Sequence, residues 1–461
     1  MSFNRRSNKI KKNLFNTRPK HDKKDLFGRE KELENLKRSL ISYPLTLLVG
    51  IRRIGKSSLL NVALNDLKES GESSLFFDVR EIYSVSGTIN MGILCNKFEN
   101  QLRNMSAKQG LFEKLKEIRG VTLGPFGLQF DWRKTELSVI LEKMDKWAEN
   151  NGEKIILAFD EAQYFAESGT KSQIKQIKAL FAHLYDCQRN IKIVLTGSEV
   201  ALLYEFIGID DPSSELYGKY ANEISLNPLT EKEAKKFLEE GFSYERVKVS
   251  EEVIEDAVKN LGGIIGWLTN FGAETTEMAI RMGKAVIKDP KEISGVLEKI
   301  RKEAKAQIMK EVERLVKKEG GKQEDYKRVL RLLARGYETS EDIRSVFMDK
   351  IKKEIYLKEG DTVLPARVDS LELEKSPLKK AEADINKLVS SILKNLERFC
   401  FIKSEQKGEK KKNILQFYRS CCKRGCGRSV RDFIFLLILH PRSYLKFLNE
   451  WRRRFWDAWR G

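Results

Sequence analysis

Residues 45–60, LTLLVGIRRIGKSSLL, constrain this chain more than any other stretch. An apolar run (Leu45, Leu47, Leu48, Val49) leads directly into Gly50-Ile51-Arg52-Arg53-Ile54-Gly55-Lys56-Ser57, and helix formers follow from Ser58. Strand, glycine loop and helix at G-x-x-x-x-G-K-[ST] spacing predict a phosphate-binding loop. Glycines let the backbone curl so that successive N–H groups face one anion. The new helix turns its positive N-terminal end toward the same charge. In such a loop Lys56 reaches the outer phosphates and the Ser57 hydroxyl ligates magnesium.

A second element completes the chemistry. Residues 154–163, KIILAFDEAQ, place five apolar residues before Asp160-Glu161. A continuous apolar run of this length predicts a parallel strand buried on both faces. Acids at its carboxyl end fall where open α/β sheets bind ligands. Asp160 is expected to hold the magnesium shell, and Glu161 to orient or deprotonate an attacking water. A further apolar run, IKIVLTGS at 191–198, ends in Thr196 and Ser198. These hydroxyls reach the γ-phosphate region if that strand neighbours the Asp160 strand.

The rest of the chain arranges itself around these two. At 461 residues the chain is long enough for about three domains. Residues 1–24 read as a disordered basic arm. An amphipathic helix begins after Phe27-Gly28-Arg29-Glu30, with Leu33, Leu36 and Leu40 on one face. SSLFFDVRE at 73–81 reads as a strand, 85–118 as helical, 121–132 as a hairpin and 171–187 as a helix. Residues 223–230 read as a last short strand and a helix start, with Thr230 as N-cap and Glu233 completing a capping box. The P-loop core is therefore placed at 25–230. From 231 to 318 the pattern is helical throughout, as expected of a lid over a nucleotide. Residues 319–418 give three helices and a hairpin, the order of a winged helix. In its third helix Ile385, Leu388, Val389, Ile392, Leu393 and Leu396 line one face. Lys387, Lys394 and Arg398 stand opposite. With the turn from Lys407 to Lys412, they form a candidate surface for double-stranded DNA. The fold class is thus α/β: a P-loop core with a parallel sheet, an all-α lid and a winged-helix domain.

Charge and cysteine content narrow the setting. The net charge is +19, but residues 1–25 carry nine Lys/Arg against two Asp, and 419–461 carry eleven against three acids. Only +4 is left for the 393 residues between them. The basicity is terminal, which suits phosphate backbones and also solvated tails. Six cysteines do not make a disulfide framework. The longest apolar run, 433–439, is far short of the roughly 20 residues that span a bilayer. The first fifteen residues have no continuous apolar core, so no signal peptide is expected. A soluble, cytoplasmic protein is the resulting expectation. The tail 419–461 gathers Cys421, Cys422 and Cys426 but offers only His440 as a nearby fourth ligand, at irregular spacing for zinc. Its FLNEWRRRFWDAW segment reads as a basic amphipathic helix or as a tail of unsettled fold.

Several of these stretches coincide with one family. Phe27-Gly28-Arg29-Glu30, Gly50 to Ser58 with Arg52-Arg53, Phe77-Asp78-Val79-Arg80, Asp160-Glu161-Ala162-Gln163, Leu216-Tyr217-Gly218 and Gly262-Gly263 before Trp267-Leu268 all match. From about Asp25 to Tyr418 the chain resembles the archaeal ATPases of the STAND branch of AAA+-related P-loop NTPases. The resemblance implies ATP or ADP between core and lid, and Phe27, Gly28 and Arg29 near the adenine. It departs at Lys219, where the family has arginine, which alone offers a planar fork. It also departs at Ile265, where the family has proline, and after Tyr418, where an Asp-Pro-rich ending is missing. Together these readings predict a magnesium-dependent ATPase switch of slow turnover, with Lys56, Glu161 and Thr196 as catalytic groups. The alternative is a DNA-binding regulator or protein-recruitment scaffold that binds nucleotide with negligible turnover. A protein partner and self-association are compatible with either.

Overall fold

A computed structural model describes residues 13–104, 111–124, 127–132, 134, 136–167, 169–318, 320–337, 339–359, 377–398, 402–407 and 410–415. Contacts divide the chain into two compact units, 1–255 with 263–296, and 256–262 with 297–461.

The first unit begins with α1 (Glu30–Ser42), β1 (Leu45–Val49), α2 (Lys56–Glu69), β2 (Ser73–Asp78), α3 (Val79–Ser86), α4 (Met91–Asn104) and α5 (Leu111–Lys116). A hairpin of β3 (Val121–Gly124) and β4 (Gly127–Phe130) leads to α6 (Leu137–Asn151), β5 (Ile155–Asp160), α7 (Tyr164–Glu167) and α8 (Lys171–Cys187). Then come β6 (Ile191–Gly197), α9 (Val200–Ile207), β7 (Asn222–Ser225) and α10 (Glu231–Glu245). β8 (Lys248–Val249), the start of α11 (Glu251–Leu261), α12 (Ile265–Arg281) and β9 (Val286–Ile287) close the unit, the rest of α11 from 256 onward counting to the second.

Five strands form one parallel sheet in the order β2-β5-β6-β1-β7. The three central strands β5, β6 and β1 are buried along their whole length, as expected for strands covered by helices on both faces. β2 alternates in burial, and the edge strand β7 is half-exposed. The sheet is set by register: Val49 pairs with Gly197, and Phe159 with Leu195. The carboxyl ends of β1, β6 and β5 therefore come level, and everything that follows each strand meets at one edge. Below that edge Phe159 packs on Phe77, Phe165 and Phe181 at 4.9, 5.8 and 5.1 Å between ring centroids. The acidic end of β5 thus rests on a close-packed aromatic base.

The expected strand at 73–81 is shorter than the apolar pattern suggested. It stops at Asp78, whose carboxylate accepts from the Glu81 N–H at 3.0 Å and caps α3. The expected cap at Thr230 is present, with Glu233 answering it. An unexpected one, Thr170 with Gln173, starts α8.

The expectation of a disordered arm over 1–24 is corrected for its second half. Leu14 and Phe15 are buried. The Phe15 ring meets Phe237 and Phe242 of α10 edge-on at 5.9 and 5.0 Å. A Cβ on Gly241 or Gly272 would stand 2.2 Å from that ring. Composition marked the segment as polar, but the Phe15 ring set against the glycines of α10 and α12, with Leu14 buried next to it in sequence, docks it. Residues 1–12 lie outside the described ones.

In the second unit α13 (Ser294–Lys318) is followed by α14 (Gln323–Ala334), α15 (Ser340–Glu359), α16 (Pro377–Arg398) and an antiparallel hairpin of β10 (Ile402–Lys407) and β11 (Lys410–Leu415). Ile385, Val389, Ile392, Leu393 and Leu396 of α16 are buried, while Lys387 and Lys394 are exposed. Tyr326 is buried in α14, and its hydroxyl accepts from Asn395 Nδ2 at 2.7 Å. The side chains of Arg398 and of the turn from Lys407 to Lys412 lie outside the description, as does the whole tail 419–461. Among the described residues no helix is long and apolar enough to cross a membrane.

Candidate functional site

The loop between β1 and α2 owes its shape to residues with positive φ: Gly50 at 149°, Arg53 at 66° and Gly55 at 104°. A Cβ on Gly50 would stand 2.9 Å from the Leu226 carbonyl oxygen, so that position needs glycine for space as well as for conformation. Gly55 forms the left-handed entry to α2, and Lys56 is the first helical residue. The Lys56 ammonium is buried and donates to the carbonyls of Gly50 at 2.9 Å and Ile51 at 3.1 Å. Ile51 and Ile54 are buried and anchor the loop, while Arg53 is exposed and Arg52 half-buried.

Asp160, at the end of β5, is buried between the loop and β6. Its Oδ2 accepts from Ser57 Oγ at 2.7 Å, and its Oδ1 accepts from Thr196 Oγ1. Two oxygens from separate elements, one hydroxyl and one carboxylate, sit side by side. This hard-donor pair fits magnesium, which keeps most of its waters and takes one or two protein oxygens. Glu161 follows in the left-handed conformation at φ 55°. That turn carries its N–H onto Thr196 Oγ1 at 3.2 Å. Its Oε2 accepts from Ser198 Oγ at 2.7 Å and from Gln163 Nε2.

The two neighbouring carboxyls are driven in opposite directions. Burial pushes Asp160 above its usual range and the Glu161 charge adds to this, while bonds from Thr196 and Ser57 and the Lys56 charge oppose it. Burial also acts to raise Glu161, but the Lys56 ammonium, the bonds from Gln163 and Ser198, and the Arg52 charge outweigh it and hold Glu161 low. Glu161 is thereby held in its ionised form, the form that can orient an attacking water and accept its bond.

Lys56, Ser57, Asp160, Glu161, Thr196 and Ser198 are thus brought together. Ser58 is engaged differently, its Oγ accepting from the Lys20 N–H at 3.0 Å. Phe27, Gly28 and Arg29 lie on the side facing α10. Phe27 packs on Phe237 at 5.3 Å, and Arg29 bonds Glu32 and the Asn227 carbonyl. Lys219 pairs with Asp186 of α8 and lies 5.2 Å from the Tyr185 ring.

Sequence reasoning missed two parts. The segment 226–229 joins three glycine turns: Leu226 meets Gly50, Leu229 meets Gly28, and the Leu229 N–H donates to the Gly263 carbonyl at 2.8 Å. Its only signal was Asn-Pro-Leu after a short strand. The other part is a joint between loop and helix. The Gly266 N–H donates to the Arg53 carbonyl at 2.9 Å, and the Arg53 guanidinium stacks 4.1 Å from the Trp267 ring. Ile265 therefore stands at the phosphate loop, its Cγ2 3.5 Å from a Cβ built on Gly55.

A glycine loop opening a helix, with its lysine and serine facing an Asp-Glu pair across one interposed strand, defines the P-loop ATPase class of fold. Residues 26–271 match the family described as an ATPase domain predominantly from Archaea, and the chain belongs to that family. Among solved structures it is similar to the Walker-type ATPase of Pyrococcus abyssi, at 31% identity and a TM-score of 0.57, covering 92% of this chain and 99% of that one. It is also similar to the Aeropyrum pernix ORC2 protein in ADPNP–ADP complexes, at 14% identity and TM-score 0.47, covering 92% and 97%. Cdc6p from Pyrobaculum aerophilum gives 16% identity and TM-score 0.43, covering 92% and 97%. No curated protein matches.

Proposed function

We propose that this protein is a cytoplasmic, magnesium-dependent ATPase of the STAND type. In this reading a core at 25–230 and a lid at 231–318 bind ATP, and nucleotide state is coupled to a winged-helix domain at 319–418. The observation that carries it is the pair of Ser57 Oγ and Asp160 Oδ2, 2.7 Å apart, with Lys56 and Glu161 on either side. Lys56 exchanges its bonds to the Gly50 and Ile51 carbonyls for phosphate oxygens. Loop N–H groups and the start of α2 orient the same phosphates. A magnesium ion held by Ser57 and Asp160 neutralises phosphate charge when bound. Glu161 takes a proton from the attacking water as its oxygen bonds to the γ-phosphorus and the bond to ADP breaks. Thr196 fixes both acids, by its hydroxyl to Asp160 and by the bond it accepts from Glu161 N–H.

The test is ATP binding and phosphate release by purified protein with magnesium and with a chelator. Lys56→Ala is expected to lose nucleotide binding, and chelation to abolish turnover. Hydrolysis by Lys56→Ala at the parent rate contradicts the assignment. A second reading, a DNA-binding regulator with negligible turnover, is favoured by the exposed Lys387 and Lys394 on α16.

A further inference from the structure

Gln163 follows the acidic pair by two residues, and no step of the proposed hydrolysis uses it. Its side chain is 1% exposed. Its Nε2 donates to Glu161 Oε2 and makes a longer bond of 3.4 Å to Ser198 Oγ. Its own carbonyl oxygen is buried with no hydrogen-bond partner among the described residues. Buried amides are ordinarily paired at both ends. At a position with only a packing duty, leucine would fill the space and leave nothing unsatisfied. A glutamine with one orphaned end is explained by what its other end holds. The room for that amide is made by Gly197, where a Cβ would stand 3.0 Å from Gln163 Oε1.

Three hydrogen bonds address one oxygen of the Glu161 carboxylate. Gln163 Nε2, Ser198 Oγ and Ser198 N, the last at 3.4 Å, all address Oε2. We propose that Gln163 is a positioning residue: by holding Glu161 through Oε2, it presents Oε1 to the water whose proton Glu161 takes. The inference rests on the hydrolytic reading above and adds to it a residue that acts only through Glu161. Without the amide, Glu161 Oε2 keeps only its bonds from Ser198, and a misplacement of about 1 Å can lower a rate by about a hundredfold.

The experiment compares parent, Gln163→Leu and Gln163→Met, each alone and in the Glu161→Gln background. ATP binding is measured directly, hydrolysis by single turnover of γ-labelled ATP, and folding by thermal midpoint. Leucine and methionine keep the volume and remove the amide, so either folded variant suffices. The expected result is ATP affinity within about twofold of the parent and a hydrolysis rate lower by about 10- to 100-fold. In the Glu161→Gln background the same substitution should add no more than about a twofold loss. A folded variant that hydrolyses at the parent rate overturns the positioning role and leaves the ATPase reading intact. An equal loss in both backgrounds also overturns it, because the effect is then not carried by Glu161. A parent that binds ATP and never hydrolyses it defeats the ATPase reading itself, and the positioning role with it.

Discussion

Asp160 and Glu161 are adjacent in sequence and buried together, yet their carboxyls are pushed apart in acidity. Two carboxyls with opposed environments commonly take different duties. Burial raises the Asp160 pKa above its unfolded value, which means that ionising Asp160 costs stability as pH rises through the folded value. Glu161 works the other way: its contribution is present above its unfolded pKa and is lost as pH falls through its lower folded value. Asp160→Asn is therefore expected to raise the melting midpoint at pH 7 in the presence of a chelator, while magnesium-dependent ATP binding is lost. A lower midpoint contradicts the role of burial. The residues named from sequence here, Lys56, Ser57, Asp160 and Glu161, were legible because phosphate chemistry demands those types at those spacings. Gln163 was visible only as part of a motif. Its role depends on where β6 puts Ser198 and Gly197, which no local pattern states.

At the scale of elements, the strands were legible from their apolar runs, but their order was not. Placing β6 between β1 and β5 is what carries Thr196 to Asp160. The same limit hid the docking of Phe15 and the approach of the glycine turn before α12. Both depend on glycines whose partners are far away in sequence. A Cβ on Gly263 would stand 1.8 Å from the Leu229 carbonyl oxygen, a backbone atom that cannot move without displacing segment 226–229. Gly263→Ala is expected to destabilise the protein by about 1–3 kcal/mol and to weaken ATP binding, read by denaturant midpoint and by titration. At α10 the obstacle is instead the Phe15 side chain. Gly241→Ala should destabilise the parent and do much less harm in a Phe15→Ala background, where the ring is gone. Additive losses in that cycle contradict the docking of Phe15.

Across the whole molecule, the fold class was readable because a P-loop with an Asp-Glu strand permits few architectures, and the helical patterns after 231 are long. The positive charge is concentrated outside the body: residues 1–25 and 419–461 hold 20 of the 86 Lys/Arg against only five of the 67 acids. Much of any affinity for nucleic acid would then come from the ends, and the exposed lysines of α16 would supply a separable share. Lys387→Ala with Lys394→Ala is expected to weaken double-stranded DNA binding and to reduce the slope of log affinity against log salt by about 2. Removal of 419–461 should weaken binding without changing the effect of those two substitutions. An unchanged slope contradicts contact through α16.

The proposed role of Glu161 is to act on water while Lys56, Ser57 and Asp160 hold the nucleotide. Its most direct test is phosphate release by the parent and by Glu161→Gln, with ATP binding measured on the same samples. The expected result is retained binding and a rate lower by about 10²–10⁴. A Glu161→Gln protein that turns over ATP like the parent contradicts it.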